Sequence, residues 1–253
     1  MLVFIVPLKS PKVSKSWQQV CSLFERSVKS ICRQKSFNFR VIVVCHEKPK
    51  IKFNHPYVSY VEVSFDLPTD NISSKELDRT RKVATGLIAA KNFNPTHVMV
   101  VDADDCVSHR LAGFVDKNVK CKGWFIKRGY MYESGNSFAK IMRHSFDRSC
   151  GTSNIIKYDL FEVDKFNEEE LVEEYYEKYQ HREIIETLRK KGNFLKPLPF
   201  AGAIYIVNNG ENFYYGHRKK NRKPRLSLKS RFLRTKALLD RRPLWMIKED
   251  FGL

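Results

Sequence analysis

With 253 residues, 42% of them hydrophobic and 13% aromatic, the chain is long enough for one large α/β domain, alone or with an appendage. Its longest apolar runs, Leu2 to Leu8 and Val41 to Cys45, are too short to span a bilayer, and Met1 to Pro7 lacks the charged start and cleavage site of a signal peptide. The net charge of +18 is uneven: from His217 to Arg242 twelve lysines and arginines face one acid, Asp240, a balance that suits an anionic partner.

The six cysteines (Cys21, Cys32, Cys45, Cys106, Cys121 and Cys150) show no CxxC spacing. That argues against a disulfide framework or zinc site and for buried thiols in a reducing, cytoplasmic setting. Leu2 to Val6 reads as a first strand, stopped at Pro7. A helix follows with Ser14 or Ser16 as its N-cap, because Trp17, Val20, Cys21, Phe24, Val28, Ile31 and Cys32 recur on one helical face. Arg40 to Cys45 is a second, doubly buried strand, so the first 45 residues make a parallel βαβ unit. Tyr57 to Phe65 alternates as a third strand, and a helix runs from about Ser74 to Asn92.

Thr96-His-Val-Met-Val-Val-Asp-Ala-Asp-Asp105 is the stretch that carries chemistry. Four apolar residues deliver Asp102 and Asp104 to the carboxyl end of a buried strand, where ligands of open α/β sheets lie. Two residues apart in extended chain, both carboxylates can address one hard cation, Mn²⁺ or Mg²⁺, with phosphate oxygens completing its shell. The plainer reading is an acidic turn capping the next helix.

Beyond it, Val107 to Lys117 reads as a short helix and Gly123 to Glu133 as a strand closed by a Glu-Ser-Gly-Asn turn. Cys150-Gly-Thr-Ser-Asn-Ile-Ile enters another strand. Glu168 to Lys191 reads as one long helix ended by Gly192, and Pro197 to Val207 as a loop and a last strand. The basic segment from 217 to 253 carries a rough amphipathic stripe and is expected to be a helical extension of a domain covering 1–216.

The order of parts resembles a GT-A glycosyltransferase, most similar to the family-two group of inverting enzymes. Ser30-Ile-Cys-Arg-Gln34 followed by Phe39-Arg-Val-Ile-Val-Val-Cys45, then Arg79-Thr-Arg-Lys-Val-Ala-Thr-Gly86, then Asp102-Ala-Asp-Asp105 where the family has its DXD motif, carry the likeness over roughly residues 1–110. It implies a single domain with a mixed, mainly parallel sheet and helices on both faces. It divides that domain into a nucleotide-sugar-binding half (1–110) and an acceptor-binding half (111–216). The implied activity is metal-dependent transfer of a sugar from a nucleoside diphosphate, a UDP-sugar by default, to a hydroxyl of a glycan or lipid-linked acceptor. Pro7, Glu47, Arg79, Arg81, Lys82 and Asp102 become candidates for holding the nucleotide, and Asp102 and Asp104 for the metal.

The second half departs from the pattern. Where the family opens a helix with its catalytic acid, this chain has Gln180 and His181, with Glu183 two residues on, so His181 and Glu183 are the candidate bases. Where the family often places a metal-binding histidine it has Asn208 and Asn209, leaving His217 as the candidate third ligand.

Two other classes stay open. A haloacid-dehalogenase-like phosphatase also ends an apolar strand in Asp-x-Asp, here Asp102 and Asp104, although that family usually begins with the motif. A non-catalytic reading takes the basic tail as a surface for an anionic membrane. Phe213, Tyr214 and Tyr215 precede the basic residues without interleaving, so specific nucleic-acid binding is not expected.

Overall fold

The computed structural model describes residues 1–180, 183–212 and 240–253. A seven-stranded sheet has the order β10-β6-β9-β4-β1-β2-β3, built from β1 (Leu2–Pro7), β2 (Phe39–Cys45), β3 (Val58–Glu62), β4 (His97–Val100), β6 (Gly123–Phe125), β9 (Asn154–Lys157) and β10 (Lys196–Pro197). Strands β4, β1, β2 and β3 run parallel, and β9 runs antiparallel to both β4 and β6. The sheet is therefore mixed and mainly parallel.

Alternation along these strands sorts the core into two layers. Leu2, Phe4, Val6, Val41, Val43 and Met99 pack with Val20, Phe24, Val28 and Ile31 of α1 (Trp17–Ile31) and with Leu111 and Val115 of α3 (Leu111–Asp116). Val3, Ile5, Ile42, Val44, Val98 and Val100 pack on the other face with Val83, Ala84 and Leu87 of α2 (Ile72–Ala90). The same layer takes Leu171 and Tyr175 of α4 (Glu168–Lys178) and Ile184 and Leu188 of α5 (Ile184–Lys190). Helices on both faces are what the unbroken apolar strands require. Ser16 caps α1 through its hydroxyl, and Asn71 caps α2. Helix α2 approaches β1 so closely at Gly86 that a Cβ there would lie 2.5 Å from Ile5 Cγ2.

A second, five-stranded sheet, β12-β8-β7-β11-β5, joins segments far apart in sequence. It comprises β5 (Cys106–Val107), β7 (Gly129–Glu133), β8 (Phe138–Met142), β11 (Ala203–Val207) and β12 (Arg241–Pro243). One face is covered by α6 (Leu244–Phe251), whose Ile247 and Phe251 meet Cys106, Ala139, Ile204 and Ile206.

Three local expectations change. Val107 is not the start of a helix: it belongs to β5, buried against β11, and the helix begins only at Leu111. Gly123 to Glu133 is two strands in two sheets, separated at Ile126–Arg128. Glu168 to Lys191 is two helices rather than one, since α4 ends at Lys178 and α5 begins at Ile184. The described end of the basic segment adds strand β12 and helix α6 to the small sheet. Among the described residues no helix is long and apolar enough to cross a membrane.

Candidate functional site

Strand β4 hands the chain to a tight turn in which the Asp105 N–H donates to the Asp102 carbonyl at 3.0 Å. This turn sends the three carboxylates into different surroundings. Asp102 meets Arg79 of α2, whose Nε and Nη2 both donate to its Oδ1, at 3.1 and 2.8 Å. Burial disfavours the Arg79 charge, but the Asp102 carboxylate outweighs it and the guanidinium titrates above its ordinary range. Gly151 lets the following segment close over this pair: a Cβ there would sit 2.4 Å from Asp102 Oδ2. Next to it, the Thr152 hydroxyl accepts from the Asp102 N–H at 2.9 Å.

Asp105 is fully buried. It accepts from the Thr152 hydroxyl at 2.7 Å, the Cys150 thiol at 3.1 Å and the Ile206 N–H at 2.9 Å. It thus ties the β4–β5 turn to the 150–153 segment and to β11. Burial, then the charges of Asp104 and Asp102, push its pKa well above the usual carboxylate range. This role as a structural junction gave no sign in a three-acid cluster.

Asp104 turns toward the end of β11. Its Oδ2 accepts from Asn209 Nδ2 at 2.7 Å and Asn212 Nδ2 at 2.8 Å. Both amides are oriented by their other contacts: Asn209 Oδ1 accepts the N–H groups of Glu211 and Asn212, and Asn212 Oδ1 accepts that of Asn209. Arg26 of α1 donates to the Asp104 carbonyl at 3.2 Å. Burial raises the Asp104 pKa to about 6, aided by the Asp102 charge and opposed by the Asn209 hydrogen bond. Glu211, in the same turn, pairs with Lys9 at 2.6 Å and accepts the Ser16 N–H at 2.8 Å, fastening the turn to the entry of α1. Asn212 and Glu211 carried no signal in sequence beyond the Asn-Asn-Gly-Glu-Asn turn composition that contains them.

The remaining candidates scatter around this centre. Pro7 is the half-buried last residue of β1, and Glu47 is exposed just past β2. The Arg81 guanidinium lies over the Phe65 ring at 5.7 Å. Lys82 is corrected: it is 1% exposed, with Nζ 2.7 Å from Asp78 Oδ2, so its charge is neutralised inside the fold instead of being offered to a nucleotide. Glu183 is exposed and precedes α5. His181 and His217 lie outside the described residues.

A metal must be judged against these contacts. Among the described residues no three His, Cys, Asp or Glu side chains are grouped to hold one. Asp102 and Asp104 remain, hard oxygen ligands whose mutual repulsion and desolvation leave negative charge that a divalent cation would relieve. Two carboxylates with water and phosphate oxygens suit Mg²⁺ or Mn²⁺, which rarely need an all-protein cage.

No family model matches the sequence, and no curated protein matches it. Solved structures do. TarS of S. aureus superposes with a TM-score of 0.51 at 15% identity, over 81% of this chain and 36% of that one, so the chain spans about a third of that protein. The 1–349 portion of TarS in complex with UDP-GlcNAc gives 0.49 at 14% identity, over 83% and 59%. A cytidylyltransferase for 2-C-methyl-D-erythritol 4-phosphate from Francisella tularensis gives 0.43 at 12% identity, over 87% and 96%. At such identity the first match speaks for fold alone. The chain shares with TarS a mixed α/β fold built on a mainly parallel central sheet.

Proposed function

We propose that this protein is a metal-dependent glycosyltransferase that moves a sugar, with inversion, from a nucleoside diphosphate to a hydroxyl of a glycan or lipid-linked acceptor. The observation that carries this reading is the pair Asp102 and Asp104 at the carboxyl end of parallel strand β4, one locked by Arg79 and the other desolvated and clamped by two asparagines. A UDP-sugar is the donor class to try first. Mn²⁺ or Mg²⁺ held by Asp102 and Asp104 would supply charge compensation for the departing diphosphate.

The chain's own groups then have separate tasks. Arg79 fixes the direction of Asp102. Asn209 and Asn212 fix that of Asp104, which is ionised above about pH 6. Glu47, just past β2, and Arg81 of α2, whose guanidinium lies over the Phe65 ring, are the side chains for the nucleoside. The acceptor's proton passes to His181 or Glu183. In support, Gln180 donates to Thr80 Oγ1 at 3.0 Å, which brings the start of that segment to the helix carrying Arg79. His217 is proposed as a further metal ligand on its sequence position alone.

The phosphatase alternative loses ground on one contact. It needs Asp102 as a free nucleophile, and Nε and Nη2 of Arg79 both donate to its Oδ1. The test is thermal denaturation with UDP, GDP and CDP, each with and without Mn²⁺. One diphosphate should stabilise the wild type only when Mn²⁺ is present, and Asp104→Ala should remove that shift. A wild type indifferent to all three nucleotides, or an Asp104→Ala variant responding as strongly, overturns the proposal.

A further inference from the structure

The small sheet has one face covered by α6 and another that fronts the acidic turn. On the covered face Tyr130, Tyr132, Ala139, Ile204 and Ile206 pack with Ile247 and Phe251. The intervening residues point the other way. In register across the strands, Tyr205 of β11 lies opposite Met131 of β7, Met131 opposite Lys140 of β8, and Lys140 opposite Arg241 of β12. Directly opposed residues share a face, so these four form one row.

The row starts beside the candidate site. Tyr205 neighbours Ile206, whose N–H is bound by Asp105, and β11 ends in the turn whose Asn209 and Asn212 hold Asp104. At about 4.8 Å per strand, Lys140 lies roughly 10 Å and Arg241 roughly 14 Å from the Tyr205 backbone. Tyr205 and Met131 are half-buried, whereas Lys140 and Arg241 are exposed. Neither cation forms an ion pair with a described residue, although neighbouring Arg143 pairs with Asp240 at 2.9 Å. Two residues along β8 on the same face, Phe138 is 49% exposed, an aromatic ring open to stack on a sugar.

We propose that the exposed β8–β12 part of this face is the acceptor subsite and that Lys140 and Arg241 select an acceptor bearing phosphate or carboxylate groups. The proposal rests on the glycosyltransferase reading for its direction, since it takes the acidic turn as the donor end. An exposed aromatic followed by two cations with no ion pair among the described residues fits a chain in which sugar and anion alternate. A neutral glycan would leave both cations without partners.

The test uses the full chain and a fluorescein-labelled phosphomannan oligosaccharide, with the same oligosaccharide after phosphatase treatment, read by fluorescence anisotropy. Wild type should bind the phosphorylated form at least ten-fold more tightly. Lys140→Gln/Arg241→Gln should lose that preference, while Lys140→Arg/Arg241→Lys keeps it. Equal binding of the two oligosaccharides by wild type overturns the proposal. So does loss of the preference in an Arg218→Gln/Lys219→Gln/Lys220→Gln variant with none in the sheet variant, which would credit the basic segment. Vesicles containing phosphatidylglycerol separate the sources of phosphate: if the sheet variant loses vesicle binding yet keeps the oligosaccharide preference, a lipid headgroup is the ligand and the acceptor assignment falls. The UDP and Mn²⁺ thermal shift, measured on the same samples, reports the donor end independently. Its absence in wild type removes the transferase reading without touching the anion preference.

Discussion

The first 105 residues and the remainder are held together by different physics. The parallel strands β1, β2 and β4 send alternate residues into two apolar layers, each closed by helices, and almost every residue of β1 and β2 is buried. The small sheet has short strands drawn from four separated stretches, β7 and β8 forming one hairpin. Its junction with the large sheet joins Val107 and Ala203 to the apolar layer and adds a set of buried polar groups, with Asp105, Thr152, Asn209, Asn212 and Glu211 each serving several partners. Apolar layers degrade gradually when a methylene is lost, because neighbours relax and only part of the transfer energy goes. A buried polar junction fails abruptly, because every stranded partner bears its own desolvation cost.

The sharpest test of that contrast is Asp105→Ala. It strands the Ile206 N–H, the Thr152 hydroxyl and the Cys150 thiol inside the protein. At about 1–3 kcal/mol for each of the two stronger donors, urea denaturation should show a loss of roughly 2–6 kcal/mol. Asp105→Asn keeps an acceptor for Ile206 and should lose well under half as much. A loss below about 1 kcal/mol for the alanine variant would mean the junction is not what joins the sheets.

Gly151→Ala probes the same junction from the ligand side. The added methyl meets Asp102 Oδ2 and lies 3.0 Å from Arg79 Nη2, so the ion pair must shift. Overpacking of this kind costs about 1–3 kcal/mol. The nucleotide- and Mn²⁺-dependent thermal shift should fall by a larger fraction than stability does. An unchanged shift would separate the Arg79–Asp102 pair from donor binding. In the apolar half the matching substitution is Ile5→Val, between β2 and β4 and against α2. It should cost about 0.5–1.5 kcal/mol by urea denaturation and leave the nucleotide response intact.

What could be read from sequence follows the same divide. Val41 to Cys45 and Val98 to Val101 announce doubly covered strands because four or more apolar residues in a row have no other stable place. The α1 stripe and its Ser16 cap are equally local signals. Asp102 and Asp104 were visible as site candidates because they end such a strand. The second half was harder to read because its information is not local. β5 is two residues long and exists only through its pairing with β11, nearly a hundred residues later. The break between α4 and α5 carries no Pro or Gly, and Tyr179 is held there by tertiary contacts, its hydroxyl donating to the Leu160 carbonyl at 3.1 Å. Lys82 read as one of three cations on the same helix with Arg79 and Arg81, and only packing shows that it sits on Asp78.

The smallest expected effect lies where the two halves meet in the large sheet, at His97 of β4. The ring is fully buried beside Trp124, with Nε2 2.9 Å from the Cys121 carbonyl and Nδ1 3.2 Å from Thr96 Oγ1. A carbonyl only accepts, so Nε2 carries the proton of the neutral ring. Burial holds the pKa below its ordinary 6.5, against the pull of the Cys121 hydrogen bond. Protons therefore bind the unfolded chain more readily than the folded one in the interval between the lowered value and 6.5. The stability this ring contributes is complete above pH 6.5 and is lost as the pH falls below it, by at most about 1.4 kcal/mol per unit until the folded value is reached. Denaturation midpoints measured from pH 7.5 to 5 should fall more steeply for the wild type than for His97→Gln, whose amide can still donate to the Cys121 carbonyl and does not titrate. Parallel curves would show that acid sensitivity belongs elsewhere, in which case the apolar half is insulated from pH even at its border with the polar one.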